Sequence, residues 1–409
     1  MSMLMDNEFY RIGRLPPYVF AEVNKVKANA RAQGIDIIDF GMGNPDSAPP
    51  KHVTDKLIET MKDSKTSRYS LSRGIHGLRK AQAGYYQRRF GVELDPDNEM
   101  VVTIGSKEGL ANLANAISAP GDVFVVPDPC YPIHTWGFVI AGAEVRHIPN
   151  TPHAPDFFDN LKAACEAKPK PVAMVMNFPC NPTAYTVDLA FFEQVVAIAK
   201  HYGVYVISDL AYCEIYFDEN KKPPSILQVK GAKDIAIEFT TVSKTYSMAG
   251  WRIGFAAGNQ KLISALTKIK SYLDYGTFLP VQVAASAAIN GPQEYVTNLR
   301  KLYKERRDIL IEGLEDAGWA PEVPDASMFV WAPIPDAYKQ LGCLEFAKLL
   351  MTEAEMAVAP GVGFGPGGEG FVRIAMVENK QRIRQAMRNL KSFMAEDPGK
   401  YIHALEKVV

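Results

Sequence analysis

Between residue 51 and about residue 290, short β-branched runs alternate with helical patterns, and this alternation constrains the fold more than any other feature of the chain. The runs lie at 101–104, 122–126, 144–148, 172–176, 204–208, 236–240 and 253–257, with helical spacing over 53–62, 77–90, 110–117 and 191–201. Runs that stay apolar at successive positions suit strands covered on both faces, whereas a half-exposed strand alternates. Strands separated by helices pair mostly in parallel. The expectation is an α/β fold whose large domain has a mostly parallel central sheet sandwiched by helices.

The pattern changes after about residue 283. A long helical stretch over 294–317 carries Arg300, Lys301, Lys304, Arg306 and Arg307 on its predicted wet face. An aromatic strand (328–331), a helix near 344–355, a glycine-rich loop (361–370), a strand (371–375) and a last helix (378–395) follow. At the other end of the chain, a helical run to about residue 32 and a strand at 36–40 lead into Gly41-Met-Gly-Asn-Pro-Asp46. We expect a large domain over 51–292 and a smaller α+β domain built from 1–50 and 293–409. The glycine-rich loop is not a dinucleotide fingerprint, because Pro366 interrupts it and a strand follows where a helix should open.

Charge narrows the function classes. The 45 basic and 46 acidic side chains nearly cancel, so there is no basic excess for nucleic acid or a membrane surface. No apolar run reaches the roughly 18–20 residues of a membrane helix, and residues 1–10 lack a secretory signal pattern. The five cysteines (130, 165, 180, 213, 343) form no C-x-x-C pair and the histidines have no ligand spacing. They read as thiols of a cytoplasmic protein without a metal site.

Chemistry centres on residues 240–254, which join two predicted strands and hold Lys244 among few other charges. Desolvation lowers a lysine pKa, and a neutral amine attacks a carbonyl to form a Schiff base. Thr241 and Ser243 precede Lys244, and Arg252 follows between Gly250 and Gly254. A guanidinium grips a phosphate through two parallel hydrogen bonds. A reactive lysine beside a phosphate grip suits pyridoxal 5′-phosphate, an aldehyde that carries a phosphate.

Four other places follow predicted strands, where open α/β sheets form their ligand crevice. Gly105-Ser-Lys-Glu108 opens a helix whose N–H groups would hold a phosphate. Asp209 would pair with a protonated pyridine nitrogen, with Tyr212 three residues on as a donor to the phenolate oxygen. Asn181, before a proline, can donate to the same oxygen. Tyr131, between prolines, can stack on a pyridine ring. Each alone also fits an ordinary cap, turn or core residue; their order along the chain is what carries the inference.

With these residues, Arg68-Tyr-Ser70, Gly74-x-x-Gly77-Leu-Arg79 and Phe371-Val-Arg373-Ile, the chain resembles the class I/II aminotransferases of pyridoxal-phosphate fold type I over essentially its whole length. The resemblance implies that Lys244 bonds the cofactor and later moves the proton between substrate Cα and cofactor C4′. It implies Asp209 on the pyridine nitrogen, Asn181 and Tyr212 on the phenolate oxygen, and Ser106, Lys107, Thr241 and Arg252 around the phosphate. Tyr69 would reach the phosphate of the partner subunit, making the protein a homodimer with shared active sites. Arg373 would bind the substrate α-carboxylate with the Gly43 backbone against it, and Tyr18 would line the pocket.

Arg14-Leu-Pro-Pro-Tyr-Val-Phe20, Phe40-Gly-Met-Gly-Asn-Pro-Asp46 and Asp274-Tyr-Gly-Thr-Phe278 are similar to bacterial alanine transaminases, which exchange amino groups between glutamate and pyruvate. Amino acids and 2-oxoacids are then the substrates, in a ping-pong reaction. LL-diaminopimelate aminotransferase and a β-lyase are alternatives that could share these residues, and spacing does not decide side-chain specificity. A non-catalytic DNA-binding regulator on the same fold is disfavoured by the charge balance.

Overall fold

The computed structural model describes residues 9–401. The expectations made for residues 1–8, including the lack of a secretory signal, and for 402–409 lie outside the described residues.

A two-residue strand β1 (Ile38–Asp39) precedes a seven-stranded central sheet. That sheet contains β2 (Met100–Thr103), β3 (Val123–Asp128), β4 (Glu144–Pro149), β5 (Pro171–Asn177), β6 (Tyr205–Asp209), β7 (Ala236–Thr241) and β8 (Gly254–Gly258), in the order β2-β8-β7-β6-β5-β3-β4. From β7 across to β4 all neighbours are parallel, while β8 runs antiparallel to both β2 and β7. The link from β7 to β8 accounts for the reversal: residues 242–253 hold only the four-residue helix Val242–Thr245 and a single turn at Ala249–Trp251, with no crossover helix to carry the chain back for parallel pairing.

Side chains along the inner strands alternate between two apolar layers, while the edge strand β4 buries only Ile148. Phe124 and Val126 pack with Leu110, Phe138 and Leu266 on one face. Val125 and Met174 pack with Phe157, Phe192 and Val195 on the other. Both faces are covered by helices, which is why the strands read as continuously apolar.

The rest of the chain forms a second core. β9 (Phe329–Pro333), β11 (Ala359–Pro360) and β12 (Phe371–Ala375) make an antiparallel sheet in the order β11-β12-β9, and β10 (Met356–Ala357) pairs with β1. Helices Glu294–Asp316, Gly342–Glu353 and Lys380–Met394 pack against them, and Ile38 and Phe40 join this core with Leu310, Phe346, Ile374 and Leu390. The last helix buries Ile383, Ala386, Met387, Leu390 and Phe393, one stripe at helical spacing. Asn379 caps it by accepting from the N–H groups of Gln381 and Arg382.

Two expectations are corrected. Arg306 does not face water: it is buried, and its Nη1 and Nη2 donate to Asp46 at 2.8 and 2.6 Å. A charged head pairs with the polar segment ahead of residue 51 instead of the solvent. The helix expected over 110–117 begins at Ser106, because Gly105 turns the chain at φ +78° directly after β2 and leaves no room for a loop.

Candidate active site

The carboxyl ends of β3, β5, β6 and β7, with the turns beside β2 and β8, open into one cavity of about 560 Å³. Lys244, Asp209, Tyr212, Asn181, Tyr131, Ser106, Lys107, Thr241, Arg252, Gly43, Tyr18 and Arg373 all line it. Tyr69 does not. It lies on the surface, 86% exposed, with its ring 4.6 Å from that of Tyr275.

Lys244 stands on the short helix Val242–Thr245 immediately after β7. Its Nζ donates to the Gly43 carbonyl at 2.7 Å and lies 5.9 Å from the Tyr212 ring centroid. Burial, and then the nearby charges of Arg373 and Arg252, bring its pKa down to about 8. The amine is therefore partly neutral near physiological pH, as a nucleophile or proton carrier requires. Thr241 holds the turn that leads to it, accepting from the Ser243 N–H at 3.0 Å and donating to the Ile253 carbonyl at 2.8 Å.

Asp209 is the last residue of β6 and is buried. Its Oδ2 lies 2.9 Å from His134 Nε2, while its Oδ1 has no protein partner. A buried carboxylate oxygen without a donor is costly. This one lies in the wall of the cavity, so it fits a protonated ring nitrogen. Asn177 donates to the Asp209 carbonyl at 2.8 Å and accepts from the Asn181 N–H at 2.9 Å, tying the β5 and β6 ends together. Asn181 Nδ2 reaches Tyr212 Oη at 3.4 Å, and burial raises the pKa of Tyr212 well above its usual value. The phenol stays protonated and can donate.

The opposite end suits a phosphate. The Ser106–Ile117 helix points its N-terminus there, and Arg252, at φ +57°, brings its guanidinium alongside. The packing leaves no space for a side chain. A Cβ on Gly105 would lie 2.0 Å from Arg252 Nη2, and one on Gly254 2.6 Å from the Ser106 nitrogen. Ser106 Oγ donates to the Thr240 carbonyl at 3.1 Å. Lys107 reaches outward, its Nζ 5.8 Å from the Tyr131 ring centroid.

Arg373 closes the cavity from β12. Its Nη1 donates to Asn181 Oδ1 at 2.7 Å and its Nη2 to the Gly41 carbonyl at 2.9 Å. The guanidinium lies 4.2 Å from the Phe329 ring and 4.5 Å from that of Phe364. Burial lowers its pKa to about 10, which keeps it cationic at neutral pH. Gly43, whose backbone is expected beside a carboxylate at Arg373, lines the same cavity; its carbonyl accepts from Lys244, and the Gly41 carbonyl accepts from Arg373.

Sequence reasoning missed His134, Asn177, Phe329 and Phe364. His134 is 1% exposed on the helix Pro132–Ala141, three residues after Tyr131. A lone histidine on an apolar helix gives no signal until its neighbour is known. Phe364 was hidden in the glycine-rich loop, where the glycines drew the attention.

A partly buried lysine of lowered pKa, a carboxylate oxygen without a donor and a buried arginine around one crevice fit a pyridoxal cofactor and a carboxylate substrate. The chain belongs to the family Aminotransferase class I and II, whose model matches residues 35–390, and it is a pyridoxal-phosphate-dependent aminotransferase. It is 53% identical to the glutamate-pyruvate aminotransferase AlaC of Escherichia coli (strain K12) over 97% of this chain and 98% of that protein. It is 43% identical to the LL-diaminopimelate aminotransferase of Moorella thermoacetica over 95% of this chain and 99% of that one. Among solved structures, substrate-bound BacF of Bacillus subtilis aligns with a TM-score of 0.87 at 33% identity, covering 95% of this chain and 98% of that one.

Proposed function

We propose that the enzyme moves an amino group between L-alanine/pyruvate and L-glutamate/2-oxoglutarate by a ping-pong mechanism. The observation that carries the reading is that Lys244, the donor-free oxygen of Asp209 and Arg373 face a single cavity. The 53% identity to a glutamate-pyruvate aminotransferase supports the choice of substrates. Tyr18, Phe20, Tyr131 and Phe364 give the cavity an aromatic wall.

Bound pyridoxal 5′-phosphate supplies an electrophilic carbon and a ring that accepts electron density. Asp209 would hold the ring nitrogen protonated, and His134 fixes the carboxylate's orientation from behind. Asn181 and Tyr212 would donate to its phenolate oxygen, and Tyr131 would lie against its ring. Ser106, Lys107, Thr241 and Arg252 hold the phosphate. Arg373 grips the substrate α-carboxylate with two parallel hydrogen bonds, which turns the Cα–H toward Lys244. Lys244 Nζ, held beside the Gly43 carbonyl, would be the group that takes the proton from substrate Cα and hands it back. Tyr18 would line the substrate pocket.

We further propose a homodimer in which Tyr69 of one copy reaches the phosphate of the other. Tyr69, Leu71, Tyr272, Leu273 and Tyr275 are all exposed on neighbouring segments, an apolar patch that monomers seldom leave open. The division into 51–292 and 1–50 with 293–409 is retained as a proposal on the two separate cores. A cytoplasmic location is proposed from the five unpaired, buried cysteines. No helix of the described residues is long and apolar enough to cross a membrane.

The test is a pair of half-reactions. L-alanine should bleach the visible absorption of the bound cofactor, and pyruvate should restore it. If LL-diaminopimelate bleaches the band and L-alanine does not, the alanine reading gives way to the diaminopimelate one.

A further inference from the structure

Lys270, on the helix Gln260–Leu273, is fully buried, with Nζ 2.9 Å from Glu108 Oε1 and 2.8 Å from Asp274 Oδ2. A buried ammonium persists only where it is paired, and its two carboxylates must find donors for their remaining lone pairs. Those donors lie in two different places.

Glu108 Oε2 accepts from the Ile104 N–H at 2.7 Å, in the turn that opens the helix at Ser106. The carbonyl of Ile104 accepts from Arg252 Nη2 at 3.3 Å. One end of the trio therefore grips the turn at the phosphate end of the cavity. At the other end, Asp274 Oδ1 accepts from the Gly276 N–H at 2.6 Å, and the Asp274 carbonyl accepts from Ser72 Oγ. The two loops interlock there: a Cβ on Gly276, at φ +75°, would lie 2.4 Å from the Leu71 carbonyl oxygen. These loops carry Tyr69 and Tyr275, whose rings are in contact on the surface.

We propose that Lys270 is a positioning residue that couples the phosphate end of the active site to association of two copies of this chain. Through Glu108 it fixes the 104–106 turn. Through Asp274 it fixes the loop pair that presents Tyr69. The proposal rests on the reading of Ser106 and Arg252 as phosphate holders and of Tyr69 as a partner-facing residue. Coupling of this kind is reciprocal: phosphate binding tightens the dimer, and the dimer tightens phosphate binding.

The test uses full-length protein stripped of cofactor, with Lys270→Met as the variant. Dissociation constants are measured for pyridoxal 5′-phosphate and for pyridoxal, which lacks the phosphate, and the dimer constant is measured by sedimentation with and without pyridoxal 5′-phosphate. The expected result is about tenfold weaker pyridoxal 5′-phosphate binding, within the range of site–site coupling, with pyridoxal binding unchanged. The dimer should also weaken about tenfold and no longer respond to the cofactor. Should Lys270→Met not fold, Glu108→Gln and Asp274→Asn keep the shapes. Each should weaken its own end most, and the double variant should depart from additivity. A lowered melting temperature with both affinities and the dimer constant unchanged would overturn the proposal, as would equal weakening of pyridoxal and pyridoxal 5′-phosphate. A wild-type protein that binds no pyridoxal 5′-phosphate overturns the functional reading and this proposal together; normal wild-type binding with an unaffected variant overturns this proposal alone.

Discussion

His134 Nε2 lies 2.9 Å from Asp209 Oδ2, while Oδ1 of the same carboxylate is buried without a protein donor. One oxygen is thus committed and the other is left for the cofactor ring. Asp209→Ala should lower kcat/KM for alanine with 2-oxoglutarate about 1,000-fold, roughly 4 kcal/mol of transition-state stabilisation. His134→Leu should cost about tenfold, since the carboxylate remains but turns more freely. Steady-state kinetics decide; an Asp209→Ala enzyme within tenfold of wild type removes the carboxylate from the mechanism.

The strand ends were legible in the sequence because parallel strands buried on both faces announce themselves as apolar runs, and the crevice follows from where they stop. Lys244, Asp209 and Asn181 each stand just at or beyond such an end, and all three line the one cavity. What was not legible depends on pairing across long separations. The antiparallel entry of β8 beside β2 brings Arg252 to Ile104, 148 residues away. Arg306 looked like one more wet charge on its helix; only the return of Asp46, 260 residues distant, makes it a buried one. Phe329 and Phe364 flank Arg373 from separate segments, and nothing local marks either as a wall of the site.

Arg373 is held on both sides before substrate arrives, by Asn181 Oδ1 and the Gly41 carbonyl, with two aromatic rings against it. Lysine keeps the charge but cannot offer parallel hydrogen bonds or stack between rings. Arg373→Lys should raise KM for alanine, glutamate and both oxoacids together, by about 10–100-fold, the equivalent of one or two charged hydrogen bonds. Cofactor affinity should stay unchanged. A selective loss for one substrate would place Arg373 on a side chain instead of the common carboxylate.

Gly105 has φ +78°, where a Cβ is strained, and that Cβ would lie 2.0 Å from Arg252 Nη2. The obstacle is the tip of a flexible side chain, so Gly105→Ala should still fold, at a backbone cost of about 1–3 kcal/mol because φ +78° with ψ 158° is a region that essentially only glycine enters, and push the guanidinium aside. Cofactor affinity should fall about tenfold or more as the bidentate grip is lost. Equilibrium dialysis of pyridoxal 5′-phosphate measures this directly. Gly254→Ala meets the Ser106 backbone nitrogen instead, which cannot swing away, so that variant should lose thermal stability as well as cofactor.

Lys244 gives the cofactor-free protein a pH signature of definite sign. Burial and the charges of Arg373 and Arg252 lower its pKa from 10.5 to about 8. Below pH 8 the amine is charged in both folded and unfolded chains, and the folded state bears the full penalty. Between pH 8 and 10.5 the unfolded chain binds the proton and the folded one does not, so stability rises with pH, by no more than about 1.4 kcal/mol per pH unit. Above 10.5 both are neutral and the penalty is gone. Lys244→Met has no such proton. Urea unfolding of the two stripped proteins should therefore show wild type gaining on the variant from pH 8 to 10.5, by up to roughly 3 kcal/mol. The rate at which stripped wild type takes up pyridoxal 5′-phosphate should climb through pH 8 with the neutral amine. A stability difference flat across that window would mean that the Lys244 ammonium is as well solvated in the folded protein as in the open chain, and a lysine in that state has no lowered barrier to attack.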